Sequence, residues 1–423
     1  MEDIKIKIKE LFKEAGAGVN YIAYGRKTTN GTPTGELAII YGVEEKKPLS
    51  ELSTEEIIPN IITIDSTDIK TDVFVMGKAE LIACDCTSSS SNGVGNRGVV
   101  RPLKGGLSVT STNMIGMVGT FGFIAKHTDS GAIVGVSNNH VLIQDAFYTD
   151  ERNLAPPIKN EYTPIDSVYQ NGEIPVVSGD IIGKVLRYVP ITASSPNQVD
   201  CSIFSINQSD VDATSVEQIG EAYTDPLPFA TTADLDNLLT TNPVLYSSGR
   251  TSGPKGGLDN CDLRVWAIGA TFYIDYMKQG VPTTVEMQNQ ITYVKVAGTF
   301  GGSSYPIPTF AICQDPVMGG DSGSALIADY GGVRKIIGLV FAGSLKQVIG
   351  GPYFNAHANR IDDVASQIGI EAWDGILGTT DYVDPNSIEY KTTSNGSPNK
   401  TLNCNSDTYW QVGLTTLSDP CIP

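Results

Sequence analysis

The chain has 423 residues, 40% of them hydrophobic, so it is long enough for two or three domains with proper cores. Its formal net charge of −18 argues against partners such as nucleic acid or an anionic membrane surface. The 44 glycines and 23 prolines supply many turns between short apolar runs rich in Val, Ile, Thr and Tyr, and this mixture favours a β-rich protein.

The amino terminus and the cysteines bear on localisation. The first 16 residues alternate charged and apolar types without an uninterrupted apolar core, so they do not predict a secretory signal. No stretch is apolar for long enough to span a bilayer, and we expect no membrane association. The seven cysteines are scattered without zinc-ligand spacing, and Cys404 and Cys421 are the one pair considered for a disulfide. These features predict a cytoplasmic protein.

Residues 1–85 predict a small N-terminal α+β domain. Apolar residues between positions 4 and 12 suit a short amphipathic helix. Turn residues separate the first two of the strand-like runs that follow, so we expect a hairpin there. The strand-like runs lie at residues 20–26, 36–43 and 72–76.

Residues 86–105 change character and predict a Ser/Gly-rich linker. Gly93, Gly95 and Gly98 have the spacing of a dinucleotide-binding fingerprint. Such a fingerprint needs a strand before it and a helix after it, and neither is predicted here. We therefore interpret this segment as linker.

From residue 106 onward, short strands and turns dominate the pattern. Residues 360–370 place their apolar side chains on one face of a predicted helix, and residues 371–423 form a polar, turn-rich tail. The predicted strands are 119–126, 132–136, 181–189, 201–206, 292–296, 310–313, 324–327 and 335–341.

The strongest local signal for chemistry is the glycine-flanked serine at Ser322. A serine in a tight turn exposes its hydroxyl, the glycines let a substrate backbone approach, and nearby backbone N–H groups can stabilise an oxyanion. An ordinary Gly-rich turn has the same composition and is the alternative.

A nucleophilic serine needs a base, and the chain has three histidines. His127 lies in a predicted hairpin turn. His357 precedes the terminal helix, where it suits a capping, packing or subsite-lining role. His140 follows the strand at 132–136 and is the preferred base, although a lone histidine at a strand end is more often structural.

A carboxylate must orient the imidazole and stabilise it when protonated. Asp200 begins a buried strand and suits this role. Asp180 is the rival, but it follows a glycine turn and reads as the start of a surface strand. A turn aspartate without function remains the alternative for Asp200.

The chain order His, Asp, Ser and five motifs resemble those of the chymotrypsin-like serine proteases (the trypsin superfamily) over residues 106–370. The stretch Ser247-Ser-Gly-Arg-Thr-Ser-Gly253 is similar to one in bacterial members of that family. The five motifs are Ser137-Asn-Asn-His140-Val-Leu, Val199-Asp200-Cys-Ser-Ile-Phe, Gly320-Asp-Ser-Gly323, Ile337-Gly-Leu-Val-Phe-Ala-Gly343 and Gly351-Pro-Tyr-Phe-Asn.

The resemblance implies a mainly β protein with a chymotrypsin-like double β-barrel. Barrel 1 is expected at about 106–210 and barrel 2 at about 240–358, with the terminal helix at 360–370. The resemblance also implies a serine endopeptidase that acts on protein or peptide substrates by acyl-enzyme chemistry, for which no metal and no organic cofactor is implied. The implied site residues are the triad His140, Asp200 and Ser322, the oxyanion-hole N–H groups of Gly320 and Ser322, and the substrate-binding residues Phe341, Ala342, Gly343 and Asp315.

Two features depart from the family pattern. No activation site is legible, so Asp321, which we expect to be buried, needs another cation, or else hydrogen bonds alone must hold the Ser322 loop. We predict Arg250 as the structural partner of Asp321. The specificity pocket aligns only to within a residue: Asp315 at its base would favour Lys or Arg, whereas Pro316 there would leave it neutral. The cleavage preference is therefore left open.

Two alternatives remain beside the endopeptidase. One is a catalytically silent scaffold derived from a protease that binds peptides or another protein. The other is a self-processing enzyme whose own linker, residues 86–105, is the substrate.

Overall fold

The computed structural model describes most of the chain. The described residues are 1–16, 18–29, 32–82, 84–85, 100–111, 117–143, 147, 167–170, 181–206, 210–216, 226–256, 262–278, 280–296, 298–300, 303–305, 316–345, 353–376, 389–390 and 400–401.

Helices in the described residues are short and few, so strands dominate and the prediction of a mainly β protein is confirmed. The helices are α1 (Glu2–Glu14), α2 (Asn139–Leu142), α3 (Thr232–Asp236), α4 (Leu238–Thr241) and α5 (Ile361–Ile368), with a 3-10 turn at Leu49–Glu51. The strands are β1 (Val19–Thr29), β2 (Thr32–Val43), β3 (Ile61–Ile64), β4 (Thr67–Val75), β5 (Ala79–Leu81), β6 (Cys84–Asp85), β7 (Leu103–Gly105), β8 (Ser108–Ser111), β9 (Met117–Thr120), β10 (Phe123–His127), β11 (Ile133–Ser137), β12 (Ser167–Gln170), β13 (Ile181–Tyr188), β14 (Ser202–Ser205), β15 (Val211–Val216), β16 (Val244–Gly249), β17 (Gly253–Lys255), β18 (Leu263–Lys278), β19 (Val281–Lys295), β20 (Gly298–Phe300), β21 (Ser303–Tyr305), β22 (Ala325–Asp329), β23 (Arg334–Leu345), β24 (Tyr353–Arg360), β25 (Ile370–Ala372), β26 (Glu389–Tyr390) and β27 (Lys400–Thr401).

Two large sheets carry the architecture. The first has twelve strands in the order β17-β16-β22-β23-β24-β19-β18-β1-β2-β4-β3, and β5 joins it by pairing with β18 and β23. The second has nine strands in the order β25-β10-β11-β14-β13-β12-β8-β9-β6. The two sheets are mostly antiparallel, so each can be built from short connections.

The N-terminal region continues the larger sheet. The predicted hairpin is present as β1 and β2, and β1 also pairs with β18, from Tyr21 opposite Phe272 to Gly25 opposite Ala267. Helix α1 covers this hairpin with its apolar face, where Ile8 is buried. The first part of the chain is thus tied to the rest by backbone hydrogen bonds.

The longest hairpin, β18 with β19, was predicted only in part, as a strand at 292–296. Ten consecutive residues of β18, from Leu263 to Phe272, are all buried. A strand covered on both faces lacks the period-2 alternation that marks a half-buried strand, so its pattern is weak in sequence.

The predicted linker and tail are partly structured. Residues 86–99, with the glycine motif, lie outside the described residues, but Leu103–Gly105 forms β7 and pairs in parallel with β15. This corrects the last part of the linker prediction, because the backbone groups of β7 bond to another strand. Strand β25, at the start of the predicted tail, pairs with β10. The predicted strand at 310–313 and both Cys404 and Cys421 also lie outside the described residues.

The two sheets meet at the loop that contains Ser322. The Thr120 N–H donates to the Ser322 carbonyl at 2.7 Å, and the Thr120 hydroxyl donates to the Gly320 carbonyl at 2.9 Å. A buried apolar cluster contains side chains of both sheets, among them Phe123 and Leu339. Within the described part of the chain, no helix has the length and apolarity needed to cross a membrane.

Candidate active site

Three side chains that are far apart in sequence meet between the two sheets. The Nδ1 atom of His140 lies 2.5 Å from Oδ2 of Asp200, and its Nε2 atom lies 2.8 Å from Oγ of Ser322. Asp200 and Ser322 are fully buried and His140 is 7% exposed. The structure therefore brings the three predicted residues into one continuous hydrogen-bonded chain.

The segment after β11 orients His140. Strand β11 ends at Ser137, and the single turn of α2 starts two residues later, so its first backbone N–H groups have no helical acceptor. The N–H groups of Asn139 and His140 instead point to Oδ1 of Asp200, at 2.6 and 3.3 Å. The side-chain amide of Asn138 donates to the Asp200 carbonyl at 2.7 Å. The Asp200 backbone and carboxylate thus hold the histidine turn.

The second oxygen of Asp200 has a further donor that the sequence pattern did not reveal. The hydroxyl of Tyr276, on β18, donates to Oδ2 at 2.7 Å. Burial, and then the charge of Asp200, raise the pKa of Tyr276 well above its usual value, so the phenol keeps its proton and remains a donor. Nothing in the local sequence of β18 marks this tyrosine, because its partner is 76 positions away.

The Ser322 loop depends on its glycines. Gly323 has a φ of +92°, and a Cβ atom built on it would lie 2.1 Å from the Thr120 carbonyl oxygen. Only glycine fits this combination of left-handed backbone and close approach. The Gly323 N–H donates to the Val340 carbonyl at 2.8 Å. The Ser322 hydroxyl also lies within hydrogen-bonding distance, 3.2 Å, of the Phe341 carbonyl.

Asp321 is buried and receives a dense set of donors. Its Oδ1 accepts the N–H groups of Thr251 and Ser252 at 3.1 and 3.0 Å, and its Oδ2 accepts the Met318 N–H at 2.9 Å. The ammonium group of Lys255 lies 3.7 Å from Oδ2. A buried carboxylate is stabilised by such hydrogen bonds together with a nearby cation.

The cation beside Asp321 corrects the prediction of Arg250. Arg250 directs its Nε to the Ser108 hydroxyl at 2.7 Å, and its backbone N–H to the Thr120 hydroxyl at 2.9 Å. The turn between β16 and β17 reverses the chain. Its Thr251 and Ser252 N–H groups therefore donate to Asp321, and Lys255, on β17, lies near the same carboxylate. The predicted motif therefore contacts Asp321, but through its backbone and a lysine that follows it.

The predicted substrate-binding residues Phe341, Ala342 and Gly343 lie on β23 and are buried. On one side β23 pairs with β24, and on the other it pairs with β5. The N–H of Gly320, a predicted oxyanion donor, donates to the carbonyl of Ile82 at 2.5 Å. Asp315 and the rival Asp180 lie outside the described residues.

The other two histidines lie apart from Ser322 in different surroundings. His127 ends β10 and has its Nδ1 3.0 Å from the Ser130 hydroxyl, in the expected turn. His357 is fully buried between the hydroxyls of Thr292 and Ser344, at 3.1 and 3.0 Å. Burial lowers the pKa of His357 to about 3, so it is neutral at physiological pH and packs as a polar core residue.

The arrangement has the parts that acyl transfer needs. An imidazole lies between a hydroxyl and a carboxylate, so it can take the hydroxyl proton on Nε2 while the carboxylate stabilises the resulting charge at Nδ1. A backbone N–H beside the serine already holds a peptide carbonyl oxygen. These are the groups that a nucleophile, a general base and an oxyanion site require.

Comparisons with known proteins give distant structural neighbours only. No protein-family model matches the sequence, and none of the curated proteins matches it. Among solved structures, a glutamic acid specific serine protease has 15% identity over 64% of this chain and 100% of its own, with a TM-score of 0.36. Thermobifida fusca protease A has 12% identity over 64% of this chain and 98% of its own, also with a TM-score of 0.36. Nocardiopsis protease has 13% identity over 64% and 97%, with the same TM-score. Scores this low decide neither the fold nor the activity of this chain.

Proposed function

We propose that the protein is a serine endopeptidase that hydrolyses peptide bonds through an acyl-enzyme intermediate. His140, Asp200 and Ser322 form its catalytic triad. The observation that carries the proposal is the unbroken chain of contacts from Ser322 Oγ through the His140 ring to Asp200, with distances of 2.8 and 2.5 Å. The hydroxyl of Ser322 lies beside Nε2 of His140, which would accept its proton, and the carboxylate of Asp200 lies beside Nδ1, where it would stabilise the resulting charge.

Acylation begins when Ser322 Oγ attacks the carbonyl carbon of the substrate and its proton passes to Nε2 of His140. Asp200 accepts the Nδ1–H bond and stabilises the imidazolium. The carbon–nitrogen bond breaks, and the leaving amine takes the proton from Nε2. Water then repeats the sequence on the ester, which releases the carboxylic acid and restores Ser322.

The N–H groups of Gly320 and Ser322 supply the oxyanion hole in this mechanism. The contact of the Gly320 N–H with a peptide carbonyl, that of Ile82, supports this role because a substrate carbonyl needs the same donor. Such donors act on the charge that develops in the transition state, so removing one typically slows the reaction about 100- to 1,000-fold.

The proposed architecture is a chymotrypsin-like double β-barrel over residues 106–370. The placement of the site between two sheets supports it, since His140 and Asp200 flank strands of the nine-stranded sheet and Ser322 precedes β22 of the other. Residues 1–85, with the strands that extend the larger sheet, form the proposed N-terminal unit. The substrates are proteins or peptides, bound along β23.

Labelling with a fluorophosphonate tests the proposal. The reagent reacts with an activated serine, so we expect the folded protein to be labelled at Ser322 and Ser322→Ala to lose the label. Ser366→Ala is the matched control, because Ser366 is exposed on α5 and its hydroxyl donates only to the Asp363 carbonyl. The label should also be sought in variants at residue 82 that weaken the contact with Gly320. If no folded form is labelled, the endopeptidase is rejected and the catalytically silent binding scaffold is favoured.

A further inference from the structure

A short segment of the N-terminal region lies along the strand that we assign to substrate binding. Strand β5 pairs antiparallel with β23, with Leu81 opposite Ala342 and Glu80 opposite Gly343. The two segments are more than 250 positions apart in the chain. An extended peptide that adds to a strand in this way is a common mode of peptide recognition.

The residue after β5 continues this pairing into the candidate active site. The Ile82 N–H points to the Phe341 carbonyl at 3.4 Å, and the Ile82 carbonyl accepts the Gly320 N–H at 2.5 Å. The Phe341 carbonyl is also the one that lies 3.2 Å from the Ser322 hydroxyl. The Phe341 carbonyl oxygen therefore neighbours both the Ile82 N–H and the Ser322 hydroxyl. The Ile82 carbonyl oxygen is hydrogen-bonded to the Gly320 N–H, which is a proposed oxyanion donor.

The side chains of residues 79–82 are covered to different degrees, and the segment is buried at both of its ends. Ala79 and Ile82 are buried, Glu80 is exposed, and Leu81 is half-buried. Ile82 is fully covered and belongs to the apolar cluster that also contains Val317. The described surroundings of Ile82 are thus those of an apolar pocket filled by a branched aliphatic side chain.

We propose that residues 79–82 are the protein's own substrate, and that the enzyme cuts the peptide bond between Ile82 and Ala83. The inference rests on the proposed function and names its substrate class: peptides with a branched aliphatic residue at the carbonyl side of the cut bond. It moves the site of self-processing from the linker at 86–105 to a bond just before it.

The chemistry of this cut balances with water as the only co-reactant. Ser322 Oγ bonds to the Ile82 carbonyl carbon, and its proton moves to His140. The bond to the Ala83 nitrogen breaks, and that nitrogen takes the proton. Water then hydrolyses the ester, so the products are a chain that ends in the Ile82 carboxylate and a chain that begins with the Ala83 amine.

The test follows full-length wild type, Ser322→Ala and Ile82→Asp by denaturing mass spectrometry and N-terminal sequencing. Denaturing conditions are needed because β1 and β5 hold the first fragment to the rest of the protein. We expect wild type to yield fragments that end at Ile82 and begin at Ala83, and Ser322→Ala to stay intact. Ile82→Asp places a carboxylate in an apolar pocket, so we expect its cut to slow at least about 100-fold.

Ile61→Asp is the matched control, because Ile61 lies on β3 and is 51% exposed. We expect it to be cut at the rate of wild type. If Ile82→Asp fails to fold, the fragment termini of wild type beside Ser322→Ala still decide the question. A further measurement compares anilides of Ala-Glu-Leu-Ile and Ala-Glu-Leu-Lys, and the inference predicts faster hydrolysis of the first.

The two proposals fail in different ways. If wild type stays intact or is cut elsewhere while Ile82→Asp is labelled by a fluorophosphonate at Ser322, the enzyme stands and the self-cleavage is wrong. If neither protein is cut or labelled although both are folded, the proposed function is wrong. A cut at the Ile82–Ala83 bond that persists in Ser322→Ala would come from another protease and would also overturn the inference.

Discussion

Strands β1 and β5 both extend from the N-terminal region onto the larger sheet, but they are held by different contacts. β1 has 11 residues and buries Tyr21 and Ile22, and the Tyr21 hydroxyl donates to the Thr292 hydroxyl at 2.9 Å. The Trp266 indole N–H donates to the Arg26 carbonyl at 2.9 Å. Side chains on both sides of the pairing thus specify where β1 lies.

β5 has three residues and exposes its central side chain, Glu80. Its contacts to β23 run through the backbone, and Ile82 is the side chain that is fully covered. Ala79 is buried as well, and it also pairs with β18. Backbone pairing with few buried side chains is how a protease cleft can accept many sequences. The comparison indicates that β1 is an anchor and that residues 79–82 are an occupant of the cleft.

The largest expected effect comes from breaking the anchor with Gly25→Ala. A Cβ atom on Gly25 would lie 2.5 Å from the Trp266 carbonyl oxygen, so β1 must shift away from β18. We expect pairing to weaken by about 1–3 kcal/mol. The cut N-terminal fragment should then dissociate, and hydrolysis of the Ala-Glu-Leu-Ile anilide should rise about tenfold or more as the tethered competitor leaves.

Size-exclusion chromatography of the cut protein and the rate of anilide hydrolysis measure this effect. Gly16→Ala is the control, because its Cβ would meet its nearest neighbour, the Glu55 carbonyl, at an ordinary 3.8 Å. Fragments of Gly25→Ala that still elute together, with an unchanged rate, would contradict the assignment of β1 as the anchor.

A smaller effect is expected from Tyr276→Phe, on the strand that receives β1. This variant removes the hydroxyl that donates to Asp200 and leaves the ring in place. A hydrogen bond to a charged group is typically worth about 1.5–3 kcal/mol, and at the lower end of that range kcat should fall about tenfold. KM should change little, because the hydroxyl contacts Asp200 and not β23, the strand proposed to bind substrate.

Steady-state kinetics with the same anilide check this prediction. Tyr273→Phe is the matched control, since Tyr273 lies on the same strand with 38% of its surface exposed. Equal kcat values for Tyr276→Phe and wild type would show that the hydroxyl does not support Asp200.

The smallest effect concerns His357, which lies on β24 next to β23 and contacts the Ser344 hydroxyl. Burial lowers its pKa to about 3 in the folded protein, against about 6.5 when unfolded. Between these values the unfolded state binds more protons, so the free energy of unfolding falls as the pH drops below about 6.5. At pH 5 the loss from this residue is on the order of 2 kcal/mol.

Urea unfolding at pH 7 and pH 5, in a Ser322→Ala background that prevents self-digestion, measures this loss. We expect His357→Gln to show a smaller loss than its parent, because glutamine does not titrate. His127→Gln is the control, and it should keep the full loss. An equal loss in both variants would assign the acid sensitivity to other groups.

The sequence indicated features whose cause is local. The amphipathic pattern of α1 and the hairpin formed by β1 and β2 are set by neighbouring residues, and the structure has the helix and the paired strands. The sequence around Ser322 indicates a nucleophile because glycines at a tight turn are a local requirement. Elimination among three histidines indicates His140, and strand position together with the family resemblance indicates Asp200. The structure brings Asp200 to His140, and His140 to Ser322.

The tertiary structure decided the partners that are distant in the chain. Lys255 beside Asp321 and Tyr276 beside Asp200 depend on how strands align in the folded sheets, and no short-range pattern encodes that alignment. Residues 79–82 carry no motif either: their position in the cleft follows from the register of β5 on β23. The residue types determined the candidate chemistry. The pairing of β5 with β23, more than 250 positions away in the chain, determined which segment lies beside Ser322.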